Sequence, residues 1–296
     1  MATVPDACLP EIELSASANV KANFLFKRLL QLAIPALTEA CEAAQISAPL
    51  PVFLAVPEQR CGRPYPALEP FLKVLASQID YPLDLITSRV FPMGRSAGMN
   101  ALNEAIKLLL NSPLERIIVG GVDSFFDTML LGALDEEDRL SSSTTMRGFV
   151  PGEGAAFVVL EKSADAGLKL SSPGVAEEPG HMYSEATCLG DGLSTAVAEA
   201  VANLDQPVQT VLCSMNGEPG HVKEWGIAQL RNSQAFHERL QLHHPAECYG
   251  DLGAATAPTL LALSVLGLEK GYYQGPALVW CASDYEQRGA VVISHG

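Results

Sequence analysis

Hydrophobic positions along the chain follow two periods. Residues 24–45 carry Leu25, Leu29, Leu30, Ile34, Leu37 and Ala40 at helical spacing, and Pro35 among them is expected to kink or split that helix. Short apolar or β-branched runs predict strands over 51–56, 84–91, 116–119 and 154–160, with a helix over 98–110 between the second and third. In the strand over 116–119 the run ends in Gly120-Gly121. The order then recurs: a strand over 181–189, a helix over 193–204, a strand over 208–214, a helix over 222–236, a long apolar helix over 251–269, and strands over 277–282 and 290–294. Two rounds of alternating strand and helix predict an α/β protein of two similar halves. The expected divisions are residues 1–169, a linker over 170–180 that contains two prolines, and residues 181–296.

Composition narrows the classes. With 296 residues and 48% apolar side chains, the chain is long enough for a sizeable core. A net charge of -15 with no Lys/Arg cluster argues against nucleic acid and against an anionic membrane surface. The longest apolar run, Ala257 to Leu268, is short of the about 20 residues a membrane helix needs. Seven scattered cysteines without a CxxC pair fit a reducing compartment, and no signal peptide is evident, so a cytoplasmic location is expected. No phosphate loop or metal-ligand spacing occurs, and neither cofactor nor metal is expected.

The most informative segment runs from Arg116 to Glu161: RIIVGGVDS, a loop, then RGFVPGEGAAFVVLE. Glycine pairs permit positive φ or close backbone approach. With the later YGDLGAA at 249–255, these motifs resemble the beta-ketoacyl synthase branch of the thiolase superfamily. The resemblance covers about residue 50 to the end. It implies a thiolase-like fold of two βα halves stacked in layers, with central helices between two sheets. Members of that branch condense acyl thioesters with a cysteine at a helix N-terminus and two further groups, His/His or His/Asn, from the second half.

Matched position by position, this chain departs from that pattern. Counting back from Gly121 by the family's spacing puts Arg95 at the cysteine. Asn216 stands at the first histidine, in Asn216-Gly217-Glu218, and Gly250, followed by Asp251, stands at the second. The family's lysine falls on Pro245, and its C-terminal GFGG turn on Asp284-Tyr285-Glu286-Gln287. A guanidinium stays protonated and is no nucleophile. A catalytically inactive relative is therefore the leading expectation, acting as a protein-binding partner or adaptor. Its mate would be a second copy, an intact paralogue or, as the resemblance to degenerate relatives beside bacterial secretion-effector genes implies, an effector. An arginine at a helix N-terminus opposes the dipole by roughly 0.3–1 kcal/mol, so Arg95 is expected to pair with Asp251 across the halves.

Two other readings stay open. One is an acyltransferase or condensing enzyme with an atypical nucleophile. The other is a serine hydrolase through Ser96, since Gly94-Arg95-Ser96-Ala97-Gly98 fits G-x-S-x-G between a strand and a helix. Its partners would be Asp191 with His221, His243 or His244. The family also opens on a strand, expected to be central in the first sheet, that is not evident here. A sheet with one strand fewer, residues 10–15, or a strand from a second polypeptide would each resolve this.

Overall fold

The computed structural model describes residues 3–12, 24–59, 70–143, 145–163 and 167–296. In chain order its elements are α1 (Phe24–Ala43), β1 (Val52–Ala55), α2 (Phe71–Ala76), β2 (Arg89–Phe91), α3 (Ala97–Asn111), β3 (Arg116–Ser124), α4 (Thr128–Glu136) and β4 (Glu153–Glu161). There follow β5 (Leu168–Leu170), β6 (Gly174–Glu177), α5 (Asp191–Val201), β7 (Val208–Cys213), α6 (Pro219–Arg231) and β8 (Phe236–His243). The last are α7 (Ala246–Tyr249), α8 (Thr256–Glu269), β9 (Ala277–Ala282) and β10 (Gln287–His295). Helix α1 continues through Pro35 as one element.

Two sheets carry the fold. The first has strand order β2-β1-β3-β4, with β1 parallel to β2 and β3, and β4 antiparallel to β3. The second repeats this as β8-β7-β9-β10, with β5 and β6 both antiparallel to β10. Strands buried on both faces explain the continuous apolar runs. In β3, Ile117 and Val119 face the central layer while Ile118 and Val122 face outward. In β9, Ala277, Val279 and Cys281 face the centre, and Leu278, Trp280 and Ala282 the other side. The centre is filled by α3 and α8, through Leu102, Ala105, Leu260 and Leu261 among others. Helices α1 and α2 cover the first sheet, and α5 and α6 the second, giving five layers, α/β/α/β/α.

Several expectations are corrected. The glycine pair does not end a strand: β3 runs through Gly120 and Gly121 to Ser124. A Cβ at Gly120 would overlap the Phe157 ring, and one at Gly121 the Ala254 carbonyl oxygen, so both glycines serve close approach rather than a turn. The strand expected over 181–189 is a series of turns, and 170–180, expected as a linker, contains β6. The helix expected to reach 236 stops at Arg231, and Phe236–His243 is a parallel strand. Of 84–91 only Arg89–Phe91 is strand. No gap opens inside the first sheet either, since Val52 pairs with Ile118 and Ala55 with Gly121. Of residues 10–15, Pro10, Glu11 and Ile12 are described and belong to no strand, with Ile12 buried under α1; the rest lie outside the described residues.

Glu153, at the head of β4, ties the N-terminal segment to the sheet. Its carboxylate accepts from Arg28 Nε (3.0 Å) and Nη2 (2.6 Å), Ser124 Oγ (2.7 Å) and Val4 N–H (2.8 Å). Burial pushes this carboxyl up, but the Arg28, Ser124 and Val4 hydrogen bonds outweigh it and hold it below the usual range. A depressed carboxyl contributes stability above its unfolded pKa that is lost as pH falls through the folded value. Glu153→Gln is therefore expected to cost about 1.5–3 kcal/mol at pH 7 and less below pH ~4. Urea midpoints at the two pH values check this; equal losses would contradict it.

Candidate functional site

Five turns meet where the two halves face each other. Between β2 and α3 the chain makes a short 3₁₀ turn, Gly94–Ser96, with Gly94 at φ +66°. This turn buries Arg95 completely at the start of α3, the chain's least favourable place for a cation. The offset is direct. Arg95 Nε donates to Asp251 Oδ2 at 2.6 Å, Nη2 lies 2.5 Å from the same oxygen, and Nη1 donates to Asp284 Oδ1 at 2.5 Å. The ion pair expected between Arg95 and Asp251 is present, and Asp284 of the β9–β10 turn is a second partner.

The remaining members close a ring. Arg139, from the loop after α4, makes a two-point contact with Glu218 (2.8 and 3.0 Å) and a second with Asp284 (3.0 and 3.1 Å). Asn216, in the turn after β7, donates to Glu218 Oε2 at 3.0 Å and to Asp251 Oδ2 at 2.8 Å. The circuit is thus Arg95–Asp251–Asn216–Glu218–Arg139–Asp284 and back to Arg95. Phe149 lies beneath both guanidinium groups, its ring centre 5.8 Å from Arg95 and 5.5 Å from Arg139. Glu58 adds a carboxylate at the margin, accepting from the Asp284 N–H at 3.4 Å.

Charge follows from this packing. Burial pushes the Asp251 carboxyl up, but the Arg95 charge and hydrogen bond, the Gly253 N–H (2.8 Å) and Asn216 reverse that and hold it below its ordinary value. Burial lowers both guanidinium groups, and the carboxylates overcome that and raise them above their normal value. Both guanidinium groups are paired with carboxylates on two sides, which is what buried cations require, while Arg95 Nη2, close to Asp251 Oδ2, makes no hydrogen bond. His221 lies beside the ring on α6, buried, its Nδ1 without a hydrogen-bond partner. Burial, then the Arg95 charge, lowers it to about 4, so it is neutral at pH 7.

Gly250 contributes backbone only. It has φ +81°, and a Cβ there would stand 2.9 Å from the Val150 oxygen, so a side chain at this position is strained. The side chain that reaches the centre from this turn is its neighbour Asp251. Ser96 is buried, and its Oγ has no hydrogen-bond partner. Its N–H donates to Ser283 Oγ at 2.9 Å. Of the acids and bases expected for Ser96, Asp191 pairs with Arg231 (2.7 Å), His244 with Glu247 (3.0 Å), and His243 packs against the Tyr273 ring (4.8 Å between centres), whereas His221 is not engaged by any hydrogen bond at Nδ1.

Sequence reasoning missed Arg139, Glu218 and Asp284 as ring members. Glu218 and Asp284 stand inside the degenerate motifs already singled out, so an excess of acid at those turns was the available signal. Arg139 follows an acidic run and gave none. Among the described residues, Glu178, Cys188 and Glu224 offer ligand atoms within 4.8 Å of one another. Glu178 already accepts from the Gly180, Leu189 and Gly192 N–H groups, and Glu224 from Arg288 at 2.6 Å, so these carboxylates are structural. No helix among the described residues is long and apolar enough to cross a membrane.

Residues 58–166 match the family model of the beta-ketoacyl synthase N-terminal domain. The fold is thiolase-like, of the beta-ketoacyl synthase type. Solved ketosynthases superpose on nearly the whole chain. The oxazolomycin ketosynthase domain OzmH KS7 of Streptomyces albus does so with a TM-score of 0.71 at 14% identity, over 90% of this chain and 60% of that one. The ishigamide ketosynthase/chain length factor gives 0.69 at 17%, over 99% of this chain and 86% of that one. A type II polyketide ketosynthase, solved with its acyl-carrier protein and a bound hexaketide, gives 0.70 at 14%, over 90% and 85%. This ketosynthase-like chain spans about 60% of the first of these. No curated protein matches the sequence significantly.

Proposed function

We propose that this ketosynthase-like protein is non-catalytic and works in the cytoplasm as a protein-binding partner or adaptor. One observation carries the reading. The place where the family resemblance puts the nucleophile and its two activating groups holds Arg95, Asn216 and the Gly250–Asp251 turn, locked in a closed ion-pair ring. A thioester exchange needs a group that can attack carbon and release a proton. Arg95 has no lone pair to offer at any accessible pH, and its charge and hydrogen bond help to hold the Asp251 carboxyl below its ordinary value.

Protein partnership fits the relatives, one of which is a ketosynthase/chain length factor and another a ketosynthase in complex with an acyl-carrier protein. Here the partner is a second copy, an intact paralogue or a secretion effector. A carrier protein as acidic as this chain would be repelled by its charge of -15.

Exposure of the purified protein to radiolabelled acyl-CoA and to a fluorophosphonate probe is expected to leave no covalent label. Stable acyl labelling would overturn the reading in favour of an atypical nucleophile. Fluorophosphonate labelling abolished by Ser96→Ala would overturn it in favour of a hydrolase. Tagged protein recovered from its host is expected to carry a stoichiometric partner that rebinds the purified chain at one to one by light scattering.

A further inference from the structure

The two halves finish their sheets differently. In the second, the outer edge of β10 is covered along its length, by β6 against Gln287–Ala290 and by β5 against Ile293–His295. Its counterpart β4 has β3 on one side and, among the described residues, no strand on the other. The ladder shows which groups are free. Phe125 N–H donates to the Gly152 oxygen at one end (3.1 Å) and Lys162 N–H to the Glu115 oxygen at the other (2.9 Å). Antiparallel pairs alternate between bonded and non-bonded. Gly154, Ala156, Val158 and Leu160 therefore bond β3, and the N–H and C=O groups of Ala155, Phe157 and Val159 point away from it.

Beside this edge runs an open apolar groove of about 920 Å³. Leu109, Leu110, Val158, Leu168, Leu261 and Val265 are among the residues that line it. Leu110 is 72% exposed. Exposed strand edges are normally blunted with charge, proline or a bulge. Between Glu153 and Glu161 β4 has none of these: the run is Gly-Ala-Ala-Phe-Val-Val-Leu in unbroken register.

Resting on the protein-partner reading above, we propose that an extended segment of a second protein adds antiparallel to β4 as the fifth strand of the first sheet. The segment is apolar at alternate positions and flanked by basic residues. The second half supplies the template, because β5 and β6 cover β10 while sending Leu168, Leu170 and Val175 into the central core. Charge selects against a second copy. Two chains of -15 repel each other. Strand addition of this kind takes affinity from main-chain bonds and specificity from alternate side-chain pockets.

The probe is a synthetic peptide of four threonine–valine repeats between lysine pairs, added to the full-length protein. Hydrogen exchange is read at the Ala155, Phe157 and Val159 amides. The peptide is expected to slow their exchange at least about tenfold, and a glutamate-flanked version to bind at least about tenfold more weakly. Ala155→Pro removes an outward N–H without touching the β3 ladder, and Leu110→Lys changes an exposed groove residue. Each should abolish or weaken peptide protection while leaving the circular dichroism spectrum intact. Amides already protected in the dilute isolated chain would overturn the proposal in favour of a segment of the chain itself. Protection that rises with protein concentration, together with a doubled mass, would overturn it in favour of a second copy. No protection at saturating peptide would overturn it outright. If the peptide fails while the acyl and fluorophosphonate probes leave no label, only the edge proposal falls. If the peptide binds but a probe labels the protein, the non-catalytic reading falls and the edge stands.

Discussion

Arg95→Met is expected to destabilise the protein by about 3–5 kcal/mol at neutral pH, the usual consequence of removing one partner from a buried charge cluster. Methionine fills most of the volume but leaves Asp251 and Asp284, both buried, without the cation between them. Arg139 still reaches Asp284, whereas Asp251 keeps only Asn216 and the Gly253 N–H. Adding Asp251→Asn should recover at least about 1 kcal/mol, because the uncompensated charge is then gone. The pH dependence has a definite sign. In the native protein Asp251 is held below its ordinary value, so its contribution is complete above about pH 4 and is lost as pH falls through the depressed pKa. Without Arg95, burial dominates and raises Asp251, so the variant loses stability as pH rises through that higher pKa. The gap between the two proteins should therefore narrow from pH 7.5 to pH 5. Urea midpoints at both values measure it. A gap of equal size at the two pH values would mean that water, not Arg95, balances the carboxylates.

Legibility in the sequence follows burial. β1, β3, β7 and β9 are covered on both faces, and each was readable as an apolar run. β5, β6 and β8 are short or edge strands whose exposed face is polar. β8 reads Phe-His-Glu-Arg-Leu-Gln-Leu-His, a pattern that resembles a helix end as much as a strand. The Gly120-Gly121 pair misled for a different reason. Glycine permits a turn and equally permits close approach, and only the neighbour across the sheet decides which. At the site, one half of the ring was legible because Arg95 and Asp251 fell at matched positions and a cation at a helix start demands an anion. Arg139 was not, because long-range pairing from a loop leaves no periodic trace. The same limit applies to the open edge of β4, visible only once the second sheet shows what covers its counterpart.

Gly121→Val is expected to cost at least about 3 kcal/mol, at or beyond the upper end of ordinary overpacking. A Cβ at this position would overlap the Ala254 carbonyl oxygen and press on Pro258 Cγ at 3.1 Å. Ala254 lies in the 3₁₀ turn that leads into α8 and Pro258 in its first turn, and neither contact is with the movable end of a flexible side chain. Relief would require the start of α8 to lift off β3. The lift would stretch the 3.0 Å bond from Ala254 N–H to Asp123 Oδ2 and drag Asp251 from Arg95, three residues upstream in the same turn. Gly120→Ala is the informative contrast. The atom met there is the ring of Phe157, a half-buried side chain on the open edge strand, which can swing outward. Its loss should stay near the lower end of the overpacking range, about 1 kcal/mol. Denaturant midpoints of the two variants test the pair together. A Gly121 variant no worse than the Gly120 variant would mean that β3 and α8 are not in the close contact that holds the two halves, and the ion-pair ring between them, in register.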